Sequence, residues 1–278
     1  MLVFEFILNK IYYPFVKYRI HISIIFLFLL INVYTNLAKQ PTAWPVVIGF
    51  SLWHFALYIF DRAYDYKLDA INQPKEAILP KERNFFLVLS IILCLIPLII
   101  LPLKNRSVFP YLPFIPVTFL YTYPLYKGIR SKNILLFKNI YSALFIWTLP
   151  LAFVAYFYTN TEQTFYEIFK TYFLGLFIYV MVGEAFWDIR DMEGDKDQNV
   201  KTIPVVFGIN VTKIYLIALI ITDLFVVGKS VTDSTIIYVI LILFAKPSSP
   251  RWIFHIPPLL ALYRFIIPLL NYLPLISV

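Results

Sequence analysis

The stretch FDRAYDYKLD, residues 60–69, sets carboxylates at Asp61, Asp65 and Asp69, with Arg62 and Lys67 between them. A second set, Asp188, Asp191 and Asp195, follows far along the chain. On a helix the first trio falls within about 80° of arc and the second within about 60°. Each trio then points one way, provided the helix carrying it continues that far. Three carboxylates on one face repel one another, and a helix C-terminus adds partial negative charge, so something positive has to compensate. Hard divalent cations suit oxygen ligands, and Mg2+ commonly takes one or two carboxylates while water and substrate phosphates fill its other positions. The chemistry suggested is therefore Mg2+ binding by Asp61, Asp65, Asp69, Asp188, Asp191 and Asp195, with a phosphorylated ligand held through the metal. A single trio could as well be solvated loop charge in surface ion pairs; two trios favour the metal.

The surroundings of the trios are also alike. DYKLDAINQPKEAILP (65–80) and DMEGDKDQNVKTIPVV (191–206) both run Asp, three residues, Asp, then Gln, Lys and Pro, with the Asp pairs offset by 126 residues. This is a weak internal repeat, with halves near 43–130 and 165–250, and a site at the interface of repeats is common in membrane proteins.

The elements that must position these acids are apolar. The chain is 60% hydrophobic and 14% charged, and nine segments approach the roughly 20 apolar residues a membrane helix needs. They are 20–37, 43–60, 84–102, 108–124, 135–158, 165–187, 211–228, 232–245 and 252–270. Pro110, Pro113 and Pro116 crowd the fourth, and the last two are short or proline-rich. The expected class is an all-α, polytopic, integral membrane protein of about nine transmembrane helices, forming a single domain over 1–278. No small-residue cleavage pattern follows the first segment, which reads as a retained helix. Cys94 is alone, which excludes an internal disulfide, and His21, His54 and His255 are scattered, which disfavours a histidine-ligated metal.

A net charge of +8 raises the question of nucleic acid, but the basic residues are divided among short loops without a run of five, so no nucleic-acid partner is expected. Alternating the loops with the N-terminus inside puts 18 Lys and Arg on the cytoplasmic side against 4 on the other. That bias supports N-inside, C-outside topology with both acidic clusters cytoplasmic, in the plasma (inner) membrane.

At these residues the sequence resembles the UbiA superfamily of intramembrane prenyltransferases. That family pairs an NDxxDxxxD motif after its second helix with a DxxDxxxD motif after its sixth, usually followed by a Thr-Leu-Pro-like stretch and a Gly. DIRDMEGDKDQNVKTIPVVFG (188–208) matches the second motif, including Gly194, Thr202, Pro204 and Gly208. The first motif departs: Asp61 stands where the family has Asn, and Arg62 where it has Asp. Asp61 can serve as an oxygen ligand with one more charge. Arg62 could bind a phosphate oxygen or neutralise the added carboxylate, and the second is favoured.

The resemblance implies a helical bundle around a central cavity and Mg2+-dependent transfer of an isoprenyl group from a prenyl diphosphate to a lipophilic acceptor among membrane lipids. Asp65, Asp191, Tyr121 and Lys127 are then the catalytic candidates, and Lys127, Arg130, Lys138 and Arg62 the diphosphate-binding ones. Positive charge in the 121–139 loop also follows from topology alone. Tyr121, Tyr123, Phe186 and Trp187 are candidates to face an allylic cation, although 53 of 278 residues are aromatic, which makes any one of them more often a packing residue. No residue stands out as the base that deprotonates the acceptor; a crowded Asp with a raised pKa is one candidate. Two other readings stay open: a membrane terpene cyclase of the same superfamily, and a divalent-cation transporter. The transporter is disfavoured because transport sites place ionisable groups near the bilayer midplane.

Overall fold

The computed structural model describes residues 13–124, 130, 133–227 and 233–260. Among the described residues every regular element is helical. A turn of helix, Tyr13–Lys17, precedes α1 (Ile20–Leu37) and α2 (Trp44–Tyr64). There follow α3 (Tyr66–Asn72), α4 (Arg83–Leu103), α5 (Phe114–Leu120), α6 (Phe137–Tyr158), α7 (Phe165–Asp197), α8 (Ile203–Val227) and α9 (Asp233–Phe244). Six of these (α1, α2, α4, α6, α7 and α8) are long and apolar enough to cross a membrane. Of the other three expected spans, 108–124 contributes only the seven-residue α5, because Pro110 and Pro113 fall in the turns before it. The segment 232–245 gives the short helix α9, and 252–270 opens as a 3-10 turn at Arg251–His255 and passes out of the described residues at 261.

The chain divides into two compact units, residues 1–27 with 44–131, and residues 28–43 with 132–278. In the first, α2 packs against α4 and α5. Trp53 is fully buried, and its indole N–H donates to the Phe114 carbonyl at 2.8 Å and the Thr118 hydroxyl at 3.0 Å. Gly49 admits close approach: a Cβ there would lie 3.4 Å from the Pro97 ring. On α4, Ile91, Ile92, Leu95, Ile99 and Leu103 are exposed while Ser90, Cys94 and Leu101 are buried. An outward apolar face with small residues among the inward ones suits a helix facing lipid.

In the second unit α7 packs against α8 and α6, with Phe186, Tyr238 and Phe254 in edge and tilted ring contacts at the core. The α6 helix widens to π-helical turns over Ser142–Thr148. Pro150 lacks the N–H that would continue the ladder, and the Thr148 hydroxyl donates to the Ala143 carbonyl at 2.7 Å and the Leu144 carbonyl at 3.1 Å. The start of α7 is fixed by a capping box in which the Thr164 N–H donates to the Glu167 carboxylate at 2.8 Å and the Glu167 N–H to the Thr164 hydroxyl at 3.3 Å.

Gly208 sits at φ 80°, ψ 168° and divides α8 into two helical pieces across a kink. That region of backbone space is essentially open to glycine alone. A Cβ at Gly208 would meet nothing within 4 Å, so any substitution penalty is conformational. Gly208→Ala is expected to lower stability by about 1–3 kcal/mol, read as a reduced melting temperature in detergent; an unchanged melting temperature would show that the backbone there relaxes freely.

Candidate active site

Asp61 lies in the last turn of α2, and Asp65 stands between α2 and α3 with φ −91° and ψ 16°. The helix does not run on unbroken, as the sequence pattern alone requires. The register survives because the Asp65 N–H donates to the Asp61 carbonyl and the Asp69 N–H to the Asp65 carbonyl, both at 2.9 Å. Asp61, Asp65 and Asp69 thus keep their spacing of four on a helical path.

Each member has its own partner within the first unit. The Thr122 hydroxyl donates to Asp61 at 2.8 Å, and Arg130 pairs with Asp65 at 2.5 Å. Arg62, 2% exposed, pairs with Asp69 at 2.7 Å and donates to the Gln73 side-chain carbonyl at 2.9 Å, with Glu76 at 3.7 Å. Burial pushes the Asp69 carboxyl up from its ordinary range, against the pull of Arg62 and Arg19. Tyr121 is buried immediately before Thr122. Lys127 lies outside the described residues.

In the second unit Asp188, Asp191 and Asp195 all lie on the continuous Leu174–Asp197 stretch of α7 and are buried. Lys138 pairs with Asp188 at 2.6 Å, and the Asn139 amide donates to the other Asp188 oxygen at 3.0 Å. Arg190 grips its neighbour Asp191 with two donors, at 2.7 and 2.6 Å, and its guanidinium lies 5.9 Å from the Trp187 ring centre. One turn before Asp188, the buried Glu184 accepts from the Ser142 hydroxyl at 2.5 Å, within the π-helical turns of α6. Such bulges recur at functional sites. The end of α7 closes with Asn199 at φ 58° and a bond from the Val200 N–H to the Asp195 carbonyl at 2.8 Å. Buried Thr202 immediately precedes α8, and buried Pro204 lies in its first turn, where proline is tolerated.

The UbiA prenyltransferase family model matches residues 22–263. The chain belongs to that family. A curated relative, digeranylgeranylglyceryl phosphate synthase of Methanobrevibacter smithii, is 27% identical over 190 residues, and the match spans 64% of each protein. A UbiA homolog from Archaeoglobus fulgidus solved with GPP and Mg2+ superposes with TM-score 0.62 at 16% identity, covering 92% of this chain and 97% of that one. The same homolog with DMAPP and Mg2+ gives 0.60 at 15% identity, covering 93% and 99%. Likeness at that identity establishes a shared UbiA fold.

The donor set of the two acidic faces suits a hard divalent ion: carboxylate oxygens, with threonine, serine and asparagine close by. Among the described residues no three Asp, Glu, His or Cys side chains gather into a ligand cluster. Asp61, Asp65, Asp69, Asp188 and Asp191 are instead each turned to a side-chain donor, and the basic partners of Asp65 and Asp188, Arg130 and Lys138, are 16% and 19% exposed. One or two carboxylates per ion is the usual share for Mg2+ beside a phosphate, so the residues fit the metal.

Several polar partners escape a reading of the sequence. Thr122, Asn139 and Ser142 carry no charge and no motif, and Arg190 passes for a topogenic charge; only adjacency to Tyr121, Lys138 and Asp191 hints at them. Removing Lys138 leaves the fully buried Asp188 carboxylate with Asn139 alone. Lys138→Gln is expected to cost about 3 kcal/mol in detergent unfolding, and Lys138→Gln with Asp188→Asn to cost less than the single change; additive losses would show that the pair carries no coupling.

Proposed function

We propose that this UbiA-family protein transfers an isoprenyl group from a prenyl diphosphate to a lipophilic acceptor in the membrane, with both acidic faces serving Mg2+ and the diphosphate. The observation that carries this reading is the pairing of the acids with partly exposed cations: Arg130 on Asp65 and Lys138 on Asp188. When bound, Mg2+ neutralises the phosphate oxygens and stabilises the departing pyrophosphate. Asp61 and Asp65 on one face, and Asp188, Asp191 and Asp195 on the other, are the proposed ligands. With the carboxylates engaged by metal, Arg130 and Lys138 would be available to donate to phosphate oxygens, the guanidinium in two-pronged fashion. Lys127 is proposed for the same task.

As the C1–O bond of the donor breaks, its electron pair leaves with pyrophosphate, and these cations hold the growing charge. Tyr121 and Trp187 are the proposed π faces for the allylic carbon, while the fully buried Phe186 serves packing. The acceptor forms the new bond to C1 and gives up its proton. The Methanobrevibacter smithii relative is named for making digeranylgeranylglyceryl phosphate, so a glyceryl phosphate lipid is the first acceptor to assay. The fold proposed around this chemistry has about nine spans, the six long helices together with 108–124, 232–245 and 252–270, enclosing a central cavity for the isoprenyl tail.

The excess of Lys and Arg in alternate loops supports a cytoplasmic N-terminus and cytoplasmic acidic faces in the inner membrane. In a Cys94→Ser background, Lys75→Cys is expected to react with a membrane-impermeant thiol reagent only from the cytoplasmic side and Lys104→Cys only from the other; the reverse pattern sinks the orientation.

Asp65→Ala and Asp191→Ala are each expected to abolish Mg2+-dependent product formation while leaving the protein folded. Mass spectrometry of lipids after incubation with prenyl diphosphate, with and without acceptor, reads the outcome. Retained turnover in both variants removes the assignment, and a prenyl hydrocarbon formed without acceptor points to cyclisation.

A further inference from the structure

We infer that Arg62 is a positioning residue that withdraws Asp69 from metal binding, leaving Asp61 and Asp65 as the metal-facing carboxylates of the first acidic face. The inference rests on the proposal that this face binds Mg2+. Arg62 differs from Arg130 and Lys138 in its surroundings. Its side chain is 2% exposed, against 16% for Arg130 and 19% for Lys138. It makes one hydrogen bond, to the Gln73 side chain at 2.9 Å, and two ion-pair contacts, with Asp69 at 2.7 Å and Glu76 at 3.7 Å. Gln73 and Glu76 are themselves buried, as are Ala77 and Ile78 just beyond them.

These contacts tie α3 and the turn after it back against the end of α2. The Gln73 N–H donates to the Asp69 carbonyl at 2.6 Å and the Glu76 N–H to the Gln73 carbonyl at 2.9 Å, so the acceptors come from one compact stretch of backbone. A divalent ion on the Asp69 carboxylate would sit beside a buried guanidinium already bound to it. Two like charges at that range in a poorly solvated place repel strongly. Drawing Asp69 away instead would strip a buried guanidinium of its nearest acid, which is costly. Asp65 faces less of this conflict, since its partner Arg130 is 16% exposed and water screens its charge. The residue responsible is one of the two at which this chain departs from the family motif, with Arg62 in the place of an acid.

The test uses the full chain in detergent with Mn2+ and inorganic pyrophosphate, bound Mn2+ being counted by electron paramagnetic resonance. Arg62→Gln and Asp69→Asn are expected to change Mn2+ affinity by less than about threefold and in the same direction, with the double variant no worse than the worse single. Both should speed metal-free trypsin cleavage after the exposed Lys75, while Asp65→Asn weakens Mn2+ binding about tenfold or more. If Asp69→Asn weakens binding tenfold while Arg62→Gln tightens it, Asp69 is a ligand and the inference falls, with the metal reading intact. If Asp65→Asn, Asp191→Asn and Asp69→Asn all leave binding unchanged, the metal reading falls and takes the inference with it. Where either single variant fails to fold, Glu76→Gln serves: unchanged Mn2+ affinity with faster cleavage is expected, and a tenfold loss overturns the inference because it would mean that Arg62 competes with metal for Asp69.

Discussion

Carboxylates gathered on one helix face in an apolar protein have to be neutralised, and the local structure around both acidic stretches answers to that constraint. Asp65 is met by Arg130, Asp69 by Arg62, Asp188 by Lys138 and Asn139, and Asp191 by Arg190. Asp61 takes a neutral donor, Thr122. The loop after α5 and the start of α6 therefore supply partners to acids that lie 49 to 65 residues away in sequence. A buried ion pair adds little net stability over an apolar one, but an unpaired buried carboxylate is expensive. The pairs are thus better understood as neutralising buried charge than as holding the helices together.

The packing that does hold each unit together is apolar and aromatic. Trp53, Phe50 and Phe114 build the first core, and Phe186, Tyr238 and Phe254 the second. Exposed Ile and Leu on α4 turn outward, because lipid removes the penalty that water would impose on them. Helical regularity gives way at the polar places. The backbone leaves ideal geometry at Asp65, widens over Ser142–Thr148 beside Glu184, and breaks at Gly208 after the second acidic motif. At each of these a side chain or a continuing backbone bond repairs the hydrogen bonding, as it must where water is scarce.

The membership of the UbiA family and the fold it brings agree with this distribution of charge. What the chain adds is a basic residue inside the first acidic motif. Arg62 is buried among acceptors from the following turn, so a change that looks like a lost ligand in the motif is also a gain of structure around it.

The sequence by itself determined the helical class, the extent of most long apolar segments and the two acidic faces, because each depends on a local period of hydrophobicity or charge. Ile20–Leu37 matches its predicted segment end for end, and Asp188, Asp191 and Asp195 share one helix as their spacing requires. Composition reads the whole of 108–124 as membrane-spanning, whereas the regular helix there is α5 alone, after the prolines at 110 and 113. Only the tertiary structure decided which cation meets which carboxylate. Arg62 turns to Asp69, Gln73 and Glu76 and not to Asp61, and Asn139, Ser142 and Thr122 enter as uncharged donors. Periodicity fixes a residue's face on its own helix, whereas its partner is set by where another helix ends and by which buried charge would otherwise go unmatched.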